Sequence, residues 1–198
     1  MPARPISRLC VFCGSNRGAQ PKFEAAARDL GATLANESIA LVYGGGRVGL
    51  MGVLADAALE SGGDVIGVIP HALDEVELAH DGLTEMHVVD SMHERKALMA
   101  DLSDGFVALP GGLGTFEEFF EVVTWAQLGI HAKPCGVLNV AGYFDKLVAL
   151  LDHAVEERFI KPQHRDLIMV EDDHRRLLDR MRSYRPPVTE RWVRREQL

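Results

Sequence analysis

Five short apolar runs recur along the chain, and their pattern constrains the fold more than any other feature of the sequence. The runs lie at residues 9–13, 39–43, 65–69, 106–109 and 135–140. Each is apolar without alternation, which is typical of buried strands covered by helices on both faces of a sheet. Stretches with helical periodicity lie between the runs, so strand and helix alternate along the chain. This alternation predicts an α/β fold built on a doubly wound parallel sheet.

The helical stretches and two weaker strands complete the predicted architecture. Helices are expected at residues 21–36, 50–61, 92–102, 115–130, 143–159 and 173–184, and the weaker strands at 85–89 and 167–170. We interpret residues 1–184 as a single Rossmann-like domain with helices on both faces of the sheet. The basic segment after it, residues 185–198, has a Pro-Pro pair near its start and is expected to be a flexible tail.

Composition excludes several classes of protein. The 198 residues are 47% hydrophobic and 25% charged, which is enough for a core that needs neither disulfides nor a metal. The formal net charge of -8 argues against a nucleic-acid partner. No apolar run reaches the ~18 residues of a membrane span, and the start lacks the apolar core of a secretory signal. A cytoplasmic protein without a membrane partner is therefore expected.

Cys10 and Cys13 form a C-x-x-C motif, which is a redox signal when it opens a helix. Here both residues belong to the first apolar run, which is a predicted strand. Residues three apart on a strand point to opposite faces of the sheet, so the two thiols cannot easily meet. We interpret both as small buried residues of a protein in a reducing compartment.

The first of two glycine-rich loops follows the second apolar run and opens a helix. Gly44, Gly46 and Gly49 have the G-x-G-x-x-G spacing of a dinucleotide site, with Gly45 among them. In such a site an acidic residue about 20 positions further on ends the next strand and holds a ribose, whereas Asp64 begins its strand. A mononucleotide site, or glycines that only permit a tight turn, fits this spacing better.

The second glycine-rich loop leads from the fourth apolar run into a helix. Its glycines, Gly111, Gly112 and Gly114, allow a ligand to approach the backbone N–H groups of a helix start, where an anion such as phosphate binds well. The competing interpretation is a capping box, because Thr115 and Glu118 have the T-x-x-E spacing. Residue types alone leave both interpretations open.

Two basic residues interrupt the apolar stripe of the helix expected at residues 92–102. Arg95 and Lys96 follow Met92 by three and four positions, and Met99 continues the stripe, so all four are expected to face inward. A buried charge costs several kcal/mol unless it is paired. The two cations should therefore face acidic groups, a ligand, or water at the rim of a cleft, unless their long side chains reach out to solvent.

Three segments are notable together: GGGRVGLMG at residues 44–52, MHERK at 92–96 and PGGLGTFEE at 110–118. With CVFCGS at 10–15 and WAQLGIH at 125–131, they resemble the Lonely guy family of cytokinin riboside 5'-monophosphate phosphoribohydrolases. Proteins of this family have often been labelled lysine decarboxylases. The resemblance extends to about residue 160. Its most specific part is the joint occurrence of the Arg-Lys pair and the P-G-G-x-G-T-x-x-E segment.

The resemblance implies a reaction and a set of site residues. The reaction is hydrolysis of the N-glycosidic bond of N6-substituted adenosine 5'-monophosphates, and of AMP, to the free base and ribose 5-phosphate, without a cofactor or a metal. The family's catalytic pair falls on Arg95 and Glu118. Its substrate contacts fall on Glu77, Lys96, Gly112, Leu113, Gly114, Thr115, Glu117 and Thr124. The glycine-rich loop of the same site comprises Gly44, Gly45, Gly46 and Gly49.

These residue types suit the cleavage of a glycosidic bond. Positive charge builds on the ribose, so Glu118 can act as a base, a nucleophile or an electrostatic support. Arg95, placed between Glu118 and a bound phosphate, would relieve their repulsion and keep the carboxylate ionised. The eight histidines have no paired metal-ligand spacing, so no metal site is predicted.

Two rival functions are weighed against this hydrolase. A lysine decarboxylase needs a lysine to hold pyridoxal phosphate, whereas the chain has only five lysines and Lys96 already has a role beside the phosphate. A binding module would carry a nucleotide on the same loops without cleaving it. Arg95 together with Glu118 favours the enzyme, because a carrier needs no carboxylate aimed at the sugar.

A homodimer is also predicted. The helix expected at residues 115–130 has an apolar stripe of Phe116, Phe119, Phe120 and Val123, and further apolar residues populate its other sides. A helix that is apolar almost all round is buried on more than its sheet face. In a small domain the additional cover comes most simply from a second copy related by a two-fold axis, and the family resemblance also implies dimers.

Overall fold

A parallel sheet of seven strands forms the centre of the computed structural model, which describes residues 5–73 and 79–187. The strands are β1 (Arg8–Phe12), β2 (Ala40–Tyr43), β3 (Val65–Pro70), β4 (Glu85–Val89), β5 (Gly105–Ala108), β6 (Cys135–Leu138) and β7 (Ile168–Glu171). Their order across the sheet is β4-β3-β2-β1-β5-β6-β7, and each neighbouring pair is parallel. The predicted α/β, doubly wound, Rossmann-like class is confirmed.

Helices lie between the strands, and a last helix follows β7. They are α1 (Pro21–Asn36), α2 (Gly49–Glu60), α3 (Met92–Leu102), α4 (Leu113–Gln127), α5 (Asp145–Glu156), α6 (Pro162–Arg165) and α7 (His174–Arg182), with a 3-10 turn at Val140–Gly142 among the residues described. Helix α6 was not expected, because four residues are too few to establish a helical period. The strand expected to reach residue 140 ends at Leu138, where Asn139 begins a turn through its side-chain hydrogen bonds.

The sheet separates two hydrophobic cores, and the strand residues alternate between them. In β1, Leu9 and Val11 belong to the core under α1, α2 and α7, whereas Cys10 and Phe12 belong to the core under α3, α4 and α5. Cys13, just after β1, lies in the first core with Leu9. Cys10 and Cys13 thus face opposite sides of the sheet as free, buried thiols, which confirms the structural interpretation of the C-x-x-C motif.

The order of the strands reverses at β1, and this reversal positions the candidate site. From β1 the chain adds strands first on the β2 side and then on the β5 side, which creates a crevice at the carboxyl ends of β1 and β5 where ligands bind in such folds. The loop after β1 is hydrogen-bonded to the segments that follow the two neighbouring strands, β5 and β2. The N–H of Gly14 donates to Pro110 O at 3.1 Å, and Leu50 N donates to Gly14 O at 2.9 Å.

Across the described part of the chain, no helix combines the length and the apolar character that crossing a membrane demands. The predicted tail is described only as far as residue 187. The division into a domain and a tail therefore stays a prediction.

Candidate active site

The second glycine-rich loop forms an open helix start at the carboxyl end of β5. Gly112, which has no side chain to cap the helix, is the N-cap of α4 and has extended backbone angles of φ -98 and ψ -154. The first N–H groups of a helix have no acceptors within it. A Cβ atom built on Gly112 or Gly114 would meet no non-neighbouring atom of the described residues within 4 Å. This helix start offers donors and free space to an anion.

The capping-box interpretation of the same segment is wrong. Helix α4 begins at Leu113, two residues earlier than expected, so Thr115 lies inside the first turn and is buried. Glu118 is a further turn along and cannot reach the N-cap as a capping-box residue does at the third position. The helix starts early because Gly112 accepts an N-cap conformation without strain. Glu118 is left on the side of α4 that lines the crevice.

Arg95 of α3 is held against the first glycine-rich loop. Its side chain is 4% exposed, and its Nη2 donates to the carbonyl oxygen of Gly44 at 3.1 Å. A Cβ on Gly44 would lie 2.1 Å from that Nη2 atom, so a side chain at this position would displace the guanidinium. Nη1 lies 3.8 Å from the sulfur of Met92. The inward direction predicted for Arg95 is confirmed, whereas Met92 is 41% exposed at the rim, so its predicted burial is wrong.

The first glycine-rich loop has protein contacts on several sides. Gly49 has φ +60, and a Cβ there would lie 2.2 Å from the carbonyl carbon of Ser15. Gly45 O accepts from His80 N at 3.0 Å, and Gly46 pairs with Ala79 in an isolated bridge. Asp64 cannot serve as the acidic residue of a dinucleotide site in this loop. It precedes β3 and so lies at the amino-terminal ends of the strands, whereas the loop lies at their carboxyl ends.

Lys96 is bonded to two carboxylates of α4. Its Nζ atom donates to Glu117 Oε1 at 2.6 Å and to Glu121 Oε1 at 3.0 Å. Burial by itself lowers the pKa of Lys96, but the hydrogen bonds and charges of the two glutamates outweigh it, so the net pKa is raised. Of the partners that sequence reasoning left open for this cation, the structure places acidic groups beside it. Lys96 thus links α3 to α4 by ion pairs outside the cavity lining.

Glu118 lies close to the end of β1. Burial first, and the charge of the Glu118 carboxylate second, raise the pKa of Cys13 well above its ordinary value. The same two causes raise the pKa of Cys10. Both thiols are therefore protonated at neutral pH, and neither is activated as a nucleophile.

The predicted residues Arg95 and Glu118 line one cavity of about 230 Å³. Its lining comprises Cys13, Ser15, Met51, Leu73, Met92, Arg95, Gly112, Leu113, Gly114, Thr115, Glu117 and Glu118. The structure thus brings together the second glycine-rich loop, the buried arginine and the carboxylate. Among the described residues, no three His, Cys, Asp or Glu side chains are grouped in a way that could hold a metal ion.

Three predicted substrate contacts lie elsewhere or cannot be placed. Lys96 is outside the cavity lining. Thr124 is exposed further along α4, and its hydroxyl donates to Phe120 O at 2.7 Å. Glu77 lies outside the described residues.

Five lining residues were missed as site residues: Cys13, Ser15, Met51, Leu73 and Met92. Ser15 follows β1, the strand at which the order reverses, and the rule that ligands bind beyond strand ends could have found it. Met51 and Leu73 carry no such signal, because an apolar side chain in a cavity has the same sequence pattern as one in the core.

The fold and the cavity define a class of protein: a Rossmann-like α/β protein with an open helix start, a buried arginine and a carboxylate at the point where the strand order reverses. A family model described as "Possible lysine decarboxylase" matches residues 51–181. A cytokinin riboside 5'-monophosphate phosphoribohydrolase of Rhodococcoides fascians is 53% identical over 170 residues, covering 85% of this chain and 86% of the relative. One from Arabidopsis thaliana is 49% identical over 186 residues, covering 94% and 86%.

The chain belongs to the family of cytokinin riboside 5'-monophosphate phosphoribohydrolases, which the resemblance of its motifs had indicated. Solved structures share the fold at lower identity. A molybdenum cofactor binding protein from Rippkaea orientalis has a TM-score of 0.68 and 21% identity, with 90% of this chain and 97% of that chain covered. The molybdenum cofactor carrier protein of Chlamydomonas reinhardtii has a TM-score of 0.68 and 21% identity, with 91% and 100% covered.

Proposed function

We propose that the chain binds N6-substituted adenosine 5'-monophosphates, and AMP, and hydrolyses their N-glycosidic bond to the free base and ribose 5-phosphate. One observation carries the proposal: Arg95 and Glu118 line the same cavity as the open N-terminus of α4. A site that only bound phosphate would need the helix start but not the carboxylate. The names of the relatives from Rhodococcoides fascians and Arabidopsis thaliana support the same reaction.

The phosphate would lie on the backbone N–H groups of Gly112 to Thr115. A Cβ would meet open space at both Gly112 and Gly114, so the phosphate can approach the main chain without displacing protein atoms. Energy from this contact positions the ribose deeper in the cavity, next to Glu118. The binding energy of the phosphate therefore serves the chemistry at the other end of the sugar.

Glu118 would act where charge develops. Cleavage of the bond between ribose and base leaves positive charge on the sugar ring, and a nearby carboxylate stabilises it while orienting or activating a water molecule. The buried guanidinium of Arg95, held by Gly44 O, is fixed in the same cavity. Its positive charge offsets the repulsion between the Glu118 carboxylate and the phosphate.

The decarboxylase in the description of the family model has less support in the site. Such chemistry requires a lysine that can bond covalently to pyridoxal phosphate. Lys96, the lysine next to the cavity, is bonded to Glu117 and Glu121 and has a raised pKa. A lysine with a raised pKa is a poor nucleophile at neutral pH.

The proposal is tested by incubating the purified chain with AMP and with N6-isopentenyl-AMP, without added cofactor, and separating the products by chromatography. We expect the free base and ribose 5-phosphate from at least one of the two. A nucleotide that binds but is recovered intact would identify a binding module instead. Adenosine is the matched control, because it lacks only the phosphate, and we expect it to be nearly inert.

We further propose a cytoplasmic homodimer. Leu150 and Phe159 are 61% and 87% exposed in the single chain, and covering such side chains is a common reason for association. The three cysteines are buried as free thiols, which suits a reducing compartment. Light scattering at micromolar concentration tests the dimer, and a monomeric mass would contradict it.

A further inference from the structure

Tyr143 holds the second glycine-rich loop from outside the cavity. Its hydroxyl donates a hydrogen bond to the carbonyl oxygen of Gly111. Gly111 directly precedes Gly112, the N-cap of α4. The contact joins the turn after β6 to the loop after β5, across 32 residues of sequence.

The part of the loop that Tyr143 contacts is closely packed, unlike the part that faces the cavity. A Cβ on Gly111 would lie 2.1 Å from Thr115 Oγ1 and 2.9 Å from Gly14 N. Pro110 O accepts from Gly14 N at 3.1 Å. The loop is thus attached at Pro110 to the loop after β1 and at Gly111 to Tyr143, and it is open only from Gly112 onward.

The Tyr143 ring is fixed by aromatic neighbours. It lies edge-on to Phe23 of α1 at 5.8 Å and to Phe144 at 5.0 Å, and it is stacked on Phe116 of α4 at 6.5 Å between ring centroids. Such arrangements are favourable for aromatic pairs. These contacts restrict the rotamers of Tyr143, so its hydroxyl already points toward Gly111 before a ligand binds.

The backbone beneath Tyr143 is also specifically built. Ala141 has a positive φ of 53, an uncommon conformation for a residue with a side chain, which persists where the surroundings support it. Asn139 supplies that support, since its Oδ1 accepts from Phe144 N at 2.7 Å and its Nδ2 donates to Asp145 Oδ1 at 2.7 Å. This turn places the ring between α1 and α4.

We propose that Tyr143 is a positioning residue for the phosphate subsite, which rests on the proposed function of the loop as the 5'-phosphate site. The carbonyl of Gly111 and the N–H of Gly112 belong to one planar peptide group and point in opposite directions. Fixing the carbonyl toward Tyr143 therefore fixes the N–H toward the cavity. The hydrogen bond also polarises this peptide and strengthens its N–H as a donor to an anion.

The test replaces Tyr143 by Phe, which removes the hydroxyl and keeps the ring. Tyr184→Phe is the matched control, because Tyr184 is a partly buried tyrosine at the end of α7, away from the cavity lining. Calorimetry would measure the Kd for AMP and for adenosine, and steady-state kinetics would measure kcat and KM for AMP. For Tyr143→Phe we expect Kd and KM for AMP to rise about 5- to 10-fold, as for the loss of one hydrogen bond.

The remaining parameters separate positioning from general stability. With Tyr143→Phe, kcat for AMP and the Kd for adenosine should change less than twofold, and Tyr184→Phe should leave all of these parameters unchanged. An unaltered AMP Kd in Tyr143→Phe would overturn the proposal, as would an equal loss for AMP and adenosine accompanied by a lower Tm. If the wild-type chain binds AMP without cleaving it, the proposed reaction fails while the Kd comparison still decides the role of Tyr143. A wild-type chain that binds neither AMP nor N6-isopentenyl-AMP would overturn both.

Discussion

The two glycine-rich loops have similar composition but opposite surroundings. In the first loop, a Cβ on Gly44 would collide with Arg95 Nη2 at 2.1 Å, and a Cβ on Gly49 would collide with Ser15 at 2.2 Å. In the second loop, a Cβ on Gly112 or Gly114 would enter open space. The first loop needs glycine where protein atoms approach Gly44 and Gly49, whereas Gly112 and Gly114 of the second loop border open space.

This difference explains why a glycine-rich motif alone is a weak signal of a ligand. Both loops follow a strand and open a helix, α2 or α4, so both have the sequence pattern of a phosphate site. Of the interpretations open for the first loop, glycines that permit a tight turn agree best with the collision at Gly49 and its positive φ. The carbonyl of Gly44 adds a role in holding Arg95.

The largest expected effect is that of Gly49→Ala in the first loop. The substitution combines a positive φ with a backbone collision, so we expect the free energy of unfolding to fall by about 3 kcal/mol or more, measured by urea denaturation. Gly62→Ala is the control, because Gly62 has φ +78 but no neighbour within 4 Å. It should cost only ~1 kcal/mol. Equal losses in the two variants would show that the backbone collision at Gly49 adds nothing to the cost of its positive φ.

Glu118→Gln tests the chemistry at the second loop. Because Glu118 is not a capping residue of α4, we expect the Tm to change little. The loss of the carboxylate charge should lower kcat by about 10² or more while AMP still binds. Glu121→Gln on the same helix, outside the cavity lining, should keep kcat within a few fold. Near-normal turnover in Glu118→Gln would place the binding module ahead of the enzyme.

The stability of the protein should also depend on pH through His131, which contacts the helix that follows the second loop. Its Nε2 lies 2.8 Å from Val122 O of α4, and burial, followed by the charge of Lys133, lowers its pKa to about 4 against the opposing effect of that hydrogen bond. Between about pH 6.5 and pH 4 the unfolded chain binds the proton more readily than the folded one, so stability falls as the pH is lowered. We expect a loss of about 2 kcal/mol from pH 7 to pH 5.

Urea denaturation at the two pH values checks this expectation. His131→Gln retains an N–H donor for Val122 O but has no titrating ring, so it should lose the corresponding part of the pH dependence. The same dependence in His131→Gln and wild type would show that other groups are responsible.

The smallest effect is expected for Gly114→Ala, the counterpart of Gly49→Ala in the second loop. Alanine in the first turn of α4 meets open space and should leave stability unchanged or raise it by up to ~1 kcal/mol. The methyl group would occupy part of the anion site, so KM for AMP should rise about 10-fold, a loss near 1.4 kcal/mol. An unchanged KM would show that the open space at Gly114 is not used by the ligand.

Sequence reasoning predicted the architecture well because its signals are local. The unbroken apolar runs and the helical period depend only on residues a few positions apart, and both survive in the observed strands and helices. The inward direction of Arg95 and Lys96 followed from the same period. The start of α4 was misplaced by two residues, because the T-x-x-E spacing at Thr115 imitates a cap that Gly112 provides instead.

The sequence by itself determined the order of strands and helices, the two glycine-rich loops and the family to which the chain belongs. Only the tertiary structure decided which residues meet: Arg95 with Gly44, 51 positions apart, Lys96 with Glu117 and Glu121, and Tyr143 with Gly111. A period repeats within one element, whereas these contacts depend on strand order and on how helices cross the sheet. For the same reason only the tertiary structure shows that Gly44 and Gly49 are closely packed, whereas Gly112 and Gly114 border open space.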